Sequence, residues 1–248
     1  MRFERMRPEE LRAAIAAGTP VVLPIGVMEY HGGHLPAGTD LLVVTETLAR
    51  LEAEAEIVLL PPFAYGAASH AVIGPEGTGT LHVETEAFLP FAEGIFRALL
   101  RAGFRNIHGV VHHQTENFAQ GMPTDLTFRL AARNATFAHL EAERGSGWWG
   151  SNEQRDYYAR HAAGENPFNW IRIHPSLPPG APFPFDHAGE GETALIQALA
   201  PETVRMERAP DGGHWYTETA ARASAARGEE GVALALAHLR RCLGLPEA

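Results

Sequence analysis

Short apolar runs alternate with longer amphipathic stretches along most of the chain. Three runs are rich in valine, isoleucine and leucine and have the length of buried strands: residues 21–26, 57–60 and 106–112. After each run, apolar residues recur at helical spacing over a longer stretch: residues 41–55, 84–101 and 125–144. Strands that alternate with helices predict an α/β fold, with a mainly parallel sheet covered by helices on both faces.

The second half of the chain has weaker patterns. Residues 166–185 contain six prolines and are typical of an irregular loop. Four further elements are predicted there: a polar helix at 151–162, an apolar helix that ends near 199, a strand at 203–207 and a last helix at 229–243. Because the sequence has neither an internal repeat nor a break in composition, we expect a single domain over residues 1–248.

Potential metal ligands are concentrated in three segments. The first segment follows the first predicted strand and supplies Glu29, His31, His34 and Asp40. The second follows the third predicted strand and supplies His112, His113 and Glu116. The third precedes the apolar helix and supplies Asp186, His187, Glu190 and Glu192. Since the carboxyl ends of parallel strands share one edge of a sheet, the first two segments can converge there. Imidazoles combined with carboxylates suit Zn²⁺ or Mn²⁺.

Each segment also has a purely structural interpretation. A loop rich in acids and histidines can be a solvated turn, and one of the adjacent His112 and His113 can be a core residue. Asp186 can cap the helix that follows it. The adjacent Trp148 and Trp149, in a turn flanked by glycines, fit either the core or an aromatic lid over a pocket.

The overall charge and composition exclude several classes of protein. A formal net charge of −10 argues against nucleic acid or an anionic membrane as a partner, since both attract positive surfaces. No stretch approaches 18 consecutive apolar residues, and the charged N-terminus has no secretory pattern. The single cysteine, Cys242, excludes an internal disulfide and suits a reducing compartment. We therefore expect a cytoplasmic protein.

Two long gapped motifs resemble those of the creatininase (creatinine amidohydrolase) family. Residues 26–40, Gly-Val-Met-Glu-Tyr-His-Gly-Gly-His-Leu-Pro-Ala-Gly-Thr-Asp, resemble its first motif, Gly-Ser-x-Glu-Gln-His-Gly-Pro-His-Leu-Pro-x-x-Thr-Asp. Residues 186–193, Asp-His-Ala-Gly-Glu-Gly-Glu-Thr, resemble its late motif, His-Ala-Gly-x-x-Glu-Thr. Between them, residues 77–81, Gly-Thr-Gly-Thr-Leu, occupy the place of a Pro-Gly-Thr-x-x loop. The resemblance covers most of the chain, from about residue 20 to about residue 200.

The resemblance implies a three-layer α/β/α sandwich with a mainly parallel sheet. It further implies two divalent metal ions per chain, Zn²⁺ and/or Mn²⁺, and hydrolysis of a non-peptide C–N bond in a small-molecule amide. A ring-like homo-oligomer, a hexamer, is also implied. By position in the motif, Glu29 would hold one ion, His31 would hold the other, and Asp40 would bridge both.

Several further roles are carried over from the resemblance. Glu116 corresponds to a glutamate on the second ion, His187 to a histidine that passes protons, and Glu192 to the acid close behind that histidine. Trp148 or Trp149 lies near the position of a tryptophan that gates the creatininase site. Among the remaining polar residues, we consider two as candidate substrate contacts: Gln114 and His34.

One departure from the family concerns the middle motif, Asn-Gly-His-x-x-Asn. When this motif is aligned without a gap on Asn117, its histidine falls on Gln114, which is a poor metal ligand. A one-residue bulge at the end of the strand would bring His113 to the site instead, and this is the arrangement we predict. Without His113 the site would hold one ion.

The leading prediction is a metal-dependent amidohydrolase that uses a metal-activated water to cleave a cyclic amide or a formamide. Two alternatives remain open. The first is a peptidase on the same fold that trims short peptides. The second is a non-catalytic binding or assembly protein whose metal centre is degraded at Gln114. The loops at residues 63–80 and 145–185 are expected to shape the pocket.

Overall fold

Four parallel strands form the described sheet. The computed structural model describes residues 1–74, 79–209, 211 and 213–246. The strands lie in the order β2-β1-β3-β4 and have these bounds: β1 Val21–Ile25, β2 Val58–Leu59, β3 Ile107–Val111 and β4 Ile171–Pro175. Val21 pairs with Ile107, which pairs with Ile171 in turn. The carboxyl ends of β1, β3 and β4 therefore lie together at one edge of the sheet.

Helices cover both faces of this sheet. The described α-helices are α1 Pro8–Ala17, α2 Thr39–Glu54, α3 Thr85–Ala102, α4 Pro123–Arg144, α5 Tyr157–Ala162, α6 Glu190–Leu199 and α7 Ala225–Leu243. Alternate residues of β1 face opposite layers, because side chains of a strand point to opposite faces in turn. Leu23 belongs to the core formed with α1, α3 and α4, whereas Val22 belongs to the core formed with α2 and α7. The predicted three-layer α/β/α sandwich is confirmed.

An aromatic cluster anchors the layer formed by α3 and α4. The rings of Phe63 and Phe128 meet edge to face with centroids 5.0 Å apart, and Phe88 lies 5.8 Å from Phe63. All three side chains are buried. Burial of one such ring stabilises the fold by roughly 1.5–3 kcal/mol. This packing holds α3 and α4 against the sheet and leaves the strand ends available for polar residues.

Several predicted elements differ from the structure. The interpretation of residues 166–185 as an irregular loop is wrong in part, because it contains β4 at the edge of the sheet. The frequent prolines concealed a short strand in which Ile171 packs into the core. The predicted strand at 203–207 is also wrong, since Pro201–Thr203 and Met206–Arg208 are 3₁₀ turns. Gly77 and Thr78 of the Gly-Thr loop lie outside the described residues.

The junction between β1 and α2 determines where the polar residues lie. Helix α2 begins at Thr39, so that Asp40 occupies its first turn rather than a position before it. A Cβ atom on Gly26 would lie 2.7 Å from the Cα of Leu41, so only glycine permits this approach of the two backbones. The end of β1 and the start of α2 therefore meet, and the intervening segment forms a closed loop beside them.

Among the described residues, no helix combines the length and the apolar character that crossing a bilayer requires.

Candidate metal centre

Five buried side chains from four segments converge at the carboxyl edge of the sheet. Glu29 and His31 come from the loop after β1, and Asp40 comes from the first turn of α2. His113 follows β3 by two residues, and Glu192 lies in the first turn of α6. All five belong to the buried polar residues of the protein. Burial of so many ionisable groups is costly unless they are paired or bind an ion.

One set of donor atoms belongs to Glu29, Asp40 and His113, and these atoms lie within 4.8 Å of one another. The Nδ1 atom of His113 is 3.1 Å from Asp40 Oδ2 and 3.5 Å from Glu29 Oε1. The other ring nitrogen of His113 is 3.1 Å from the carbonyl oxygen of Ala67. Because a carbonyl can only accept, Nε2 carries a hydrogen, and Nδ1 is the ring nitrogen that faces the carboxylates. Glu29 Oε2 is held by the backbone N–H of Ser69 at 2.6 Å.

A second set of donor atoms belongs to His31, Asp40 and Glu192. The Nε2 atom of His31 is 3.6 Å from Asp40 Oδ1 and 3.3 Å from Glu192 Oε2. Its Nδ1–H donates to the backbone oxygen of Glu29 at 3.0 Å, and within the described part of the chain Nε2 has no hydrogen-bond partner. A buried imidazole nitrogen that faces two carboxylates without a hydrogen bond has the surroundings of a metal ligand.

Asp40 is the residue common to both sets. Its Oδ2 faces His113 and its Oδ1 faces His31. The two oxygens of one carboxylate can each bind a different ion, so Asp40 occupies a bridging position between the two sets. The donors are imidazole nitrogens and carboxylate oxygens, which are ligands suited to Zn²⁺ and Mn²⁺. The residues present therefore fit a pair of divalent cations.

His187 lies beside these sets, and its donor atom forms a third group with those of Glu29 and His31. Its Nε2–H donates to the backbone oxygen of Tyr30 at 2.8 Å, and its Nδ1 is 3.4 Å from Glu29 Oε1. The ring also lies 4.3 Å from the ring of His31, measured between centroids. Since the Tyr30 carbonyl accepts the hydrogen of Nε2, Nδ1 is the ring nitrogen of His187 that faces Glu29.

The electrostatics of the cluster couple its imidazoles to its carboxylates. Burial raises the pKa of Asp40, but the neighbouring His31 and His113 outweigh it and lower this pKa to about 2. Burial lowers the pKa of His113, but the carboxylate of Asp40 more than compensates and raises it to about 9. Burial and the nearby Asp40 raise the pKa of Glu29. Protons and divalent cations therefore compete for the same imidazole nitrogens.

A cavity of about 310 Å³ opens directly above the two sets. Its floor includes Glu29, Asp40, His113 and Glu192, with His187 on one side. Its remaining lining residues are Ser69, His70, Ala71, Gln114, Glu116, Met122, Asp186, Trp215 and Tyr216. The side chain of Trp215 is 74% exposed, which is unusual for so large an apolar ring. Sequence reasoning missed Trp215 and Tyr216, since no ligand-type residue pattern marks them.

Other predicted site residues lie apart from the two sets. Glu116 is exposed and lines the cavity, but it belongs to neither set. Gln114 has a left-handed backbone with φ of 52°, and its side chain also lines the cavity. The residue that contacts Asp40 is His113. His34 is buried away from the cavity, where its Nε2 contacts the hydroxyl of Thr193 at 2.9 Å.

The two adjacent tryptophans form part of a separate aromatic cluster. Trp149 packs against Phe168 and Tyr157, with ring centroids 5.2 Å and 5.1 Å away, and Trp148 stacks on Trp149. Neither tryptophan is among the residues that line the cavity. The two tryptophans pack at the end of α4. The aromatic residues that line the cavity are Trp215 and Tyr216.

Asp186 has the capping role that its position before α6 suggested. Its carboxylate accepts the backbone N–H groups of Gly189, Gly191 and Glu192 at 2.7–3.2 Å. Burial and the nearby Glu192 raise its pKa to about 6. The side chain thus fixes the start of α6, and through it the position of Glu192 beside the second set.

Comparison with known proteins gives consistent results. The family model described as creatinine amidohydrolase matches residues 4–243. The chain is 24% identical over 214 residues to 3-dehydro-scyllo-inosose hydrolase of Thermotoga maritima, covering 84% of this chain and 59% of that protein. It is 26% identical over 206 residues to creatinine amidohydrolase of Pseudomonas putida, covering 82% of this chain and 73% of that protein. The chain therefore spans less than two thirds of the length of the first relative.

Solved structures share the fold over the full length. A crystal structure of creatinine amidohydrolase (creatininase) superposes with a TM-score of 0.74 at 20% identity, covering 100% of this chain and 98% of the other. A manganese form of creatininase gives a TM-score of 0.72, and a Zn–Zn form of a creatininase variant gives 0.71, both at 19% identity. Each covers 99% of this chain and 98% or more of the other.

Proposed function

The chain belongs to the creatininase family, and on that basis we propose that it is a metal-dependent amidohydrolase that cleaves a non-peptide C–N bond of a small cyclic amide or formamide. The observation that carries the proposal is the position of Asp40, shared by two sets of buried ligands beneath a cavity. A protein that only needed stability would gain little from burying these charges, because the cost of desolvation is large.

The proposed ligands divide between two divalent ions. Glu29, Asp40 and His113 would hold the first ion, and His31, Asp40 and Glu192 would hold the second. The unpartnered Nε2 of His31 supports this assignment. The manganese and zinc forms of creatininase support the choice of Zn²⁺ or Mn²⁺. When bound, two such ions lower the pKa of water and polarise a carbonyl group, which is the chemistry that amide hydrolysis needs.

The protein's own residues would complete the reaction. We assign to His187 the transfer of a proton, taken up and released at Nδ1, to the nitrogen that leaves the substrate. The carbonyl of Tyr30 would keep the ring in place during this transfer, since it holds Nε2 at 2.8 Å. Ser69 would hold Glu29 in the orientation that ligation requires, through its backbone N–H at 2.6 Å.

The cavity favours a small substrate over a peptide. Its volume of about 310 Å³ is at the lower end of the range for small-molecule sites, roughly 300–1,000 Å³. Trp215 and Tyr216 on its wall offer flat apolar faces on which a ring can stack. His113 beside Asp40 also supports an enzyme over a binding protein with a degraded centre. We further propose a homo-oligomer, a hexamer by resemblance, which light scattering after size exclusion would test.

The test combines metal analysis with a substrate screen. We expect about two divalent ions per chain, and hydrolysis of at least one cyclic amide or formamide that stops on chelation and resumes when Zn²⁺ or Mn²⁺ is restored. The Asp40→Asn variant should be inactive, and a His108→Gln variant, changed at a buried histidine outside the cavity, should be active. Metal-dependent cleavage of short peptides alone would favour the peptidase, and a protein that binds no ion would contradict the proposal.

A further inference from the structure

A buried histidine that the proposed function does not use lies behind Glu192. His112 follows β3 and Ser176 follows β4, and the two residues are neighbours because Val111 pairs with Pro175 in the sheet. The backbone N–H of Ser176 donates to the oxygen of Val111 at 2.8 Å, which continues the ladder by one bond. The register of the outer strand therefore brings the hydroxyl of Ser176 to 2.6 Å from His112 Nδ1.

The other ring nitrogen of His112 faces Glu192. His112 Nε2 is 3.7 Å from Glu192 Oε1 and, among the described residues, forms no hydrogen bond. The second oxygen of the same carboxylate, Oε2, accepts the backbone N–H of Ala188 at 2.7 Å and lies 3.3 Å from His31 Nε2. The carboxylate of Glu192 is thus placed between two imidazoles, with one oxygen toward the second ligand set and the other toward His112.

We propose that Ser176 and His112 act as a positioning pair that holds Glu192 in the orientation required to bind the second ion. The carboxylate of Glu192 favours the tautomer with the ring hydrogen on Nε2, and Nδ1 then accepts the hydrogen bond of the Ser176 hydroxyl. The opposite tautomer would direct the lone pair of Nε2 at a carboxylate oxygen, which is repulsive. This inference rests on the proposed function, since it concerns the second of the two proposed ions.

The pair is a feature of this chain rather than of the family's middle motif. When His113 is aligned with the histidine of Asn-Gly-His-x-x-Asn, His112 falls on the glycine, which has no side chain. The imidazole behind Glu192 is therefore an addition to the motif. The Nε2–H group of His112 attracts Oε1 of Glu192. This attraction opposes a rotation of the carboxylate that would turn Oε2 away from His31.

The same three residues also have the composition of a hydrolytic Ser–His–acid triad, but the surroundings exclude that role. Ser176 is 1% exposed and is not among the residues that line the cavity. A nucleophile must reach the carbon that it attacks. His112 is only 4% exposed, so both residues act from behind the ligand and not on the substrate.

The test measures ion binding by the purified full-length protein, titrated with Zn²⁺ against a competing chelator so that two dissociation constants are resolved. In His112→Gly, which restores the residue of the motif, we expect the dissociation constant of the second ion to rise 10–100-fold, on the order seen when residues that orient ligands are removed. The constant of the first ion should stay within about twofold, because the side chains of His112 and Ser176 face Glu192 and each other rather than the side chains of Glu29 and His113. His112→Gln keeps an N–H donor and should lose less affinity than His112→Gly.

Controls separate positioning from general damage. His108→Gln alters a buried histidine within β3, and Thr136→Ala removes another buried hydroxyl, and both variants should bind two ions normally. If His112→Gly does not fold, Ser176→Ala, which removes a single hydroxyl, gives the same comparison. The visible spectrum of the Co²⁺-loaded protein should change in His112→Gly and not in the controls. Unchanged constants in both His112→Gly and Ser176→Ala would overturn the inference, and a wild-type protein without a second ion would overturn the proposed function as well.

Discussion

The Nδ1 atom of His113 lies 3.1 Å from Oδ2 of Asp40, and this contact joins the loop after β3 to the first turn of α2. His113 reaches this position because Gln114, the next residue, turns the chain with a left-handed backbone. This backbone conformation of Gln114 is uncommon for a residue other than glycine. Here it directs the imidazole of His113 toward the carboxylate of Asp40.

Replacing Asp40 with asparagine should remove both ions. The amide has the same shape but loses the negative charge that each ion shares, so we expect the metal content to fall from about two ions per chain to well below one. Elemental analysis of the purified variant measures this. Asp125→Asn is the matched control, since Asp125 is equally buried in the first turn of α4. Retention of one tightly bound ion in Asp40→Asn would show that Asp40 does not bridge.

Glu116→Gln and Glu192→Gln should differ in their metal content. Glu116 is exposed and outside both sets, so its substitution should leave the ions in place. Glu192 belongs to the second set, and its amide should bind that ion about 10–100-fold more weakly or worse. Binding titrations of the two variants side by side give the answer. If Glu116→Gln lost an ion and Glu192→Gln did not, Glu116 would be the ligand of the second ion, as the family resemblance implies.

Removing the side chain of His187 should reduce the rate and leave the ions bound. The ring lines the cavity, and although its Nδ1 lies near Glu29 and His31, it belongs to neither of the two sets that share Asp40. Loss of a positioned proton donor lowers kcat by about 10²–10⁴-fold. The comparison needs kcat and metal content for His187→Ala, with added imidazole as a partial rescue. Full activity in the variant would mean that another group supplies the proton.

Binding of ions near neutral pH should release protons. Burial lowers the pKa of His113, but the Asp40 carboxylate raises it to about 9, so this ring carries an extra proton at pH 7 when no ion competes. A metal ligand must be neutral, so the imidazole of His113 should release on the order of one proton on binding. Calorimetry in buffers of different ionisation enthalpy counts these protons, and the count should fall as the pH passes 9. A count near zero at pH 7 would contradict the assigned ligands.

Acid should destabilise the protein through His108 and His174. Their rings are joined by a hydrogen bond of 3.0 Å, and burial, together with neighbouring Arg172, lowers the pKa of His174 to about 4. The unfolded chain has a pKa near 6.5 at this residue, so between pH 6.5 and pH 4 it binds more protons than the folded protein. The free energy of unfolding should therefore fall in this window, by at most about 1.4 kcal/mol per pH unit for one such group.

Urea unfolding at several pH values, with chelator present to exclude effects of ions, tests this dependence. The His174→Gln variant removes the titrating group, so its stability should depend less on pH than that of the wild type between pH 6.5 and pH 4. Curves that run parallel for the two proteins would show that His174 titrates normally.

The sequence predicts most of the scaffold because its signals are local. Apolar runs located β1, β2 and β3, and helical spacing located α2, α3 and α4 within a few residues. Strand β4 was missed because Ile171–Pro175 lies among prolines and depends on β3 for its pairing. The capping residue Asp186 was foreseen, since a cap acts on the backbone directly beside it.

The site was less predictable because its contacts join distant segments. Alignment alone placed Gln114 at the histidine of the middle motif, and only the backbone turn after His113 shows which side chain faces Asp40. Nothing in the sequence around Ser176 or Trp215 marks either residue. Their roles depend on contacts with residues that are distant in the chain. Residue spacing identifies candidate ligands, whereas the surroundings of each ligand depend on the packing of the whole sheet.

The contact between Gly26 and the backbone of Leu41 has a consequence for engineering. Because the two ends of the intervening segment touch, the loop that carries Glu29 and His31 is closed at its base by a contact between backbones. A designer could transplant it, with Glu29, His31 and Asp40 together, onto another parallel sheet that offers a glycine and a helix start at the same separation. Ion binding by such a chimera, compared with one carrying alanine at the glycine, would show whether this contact preserves the arrangement of the three ligands.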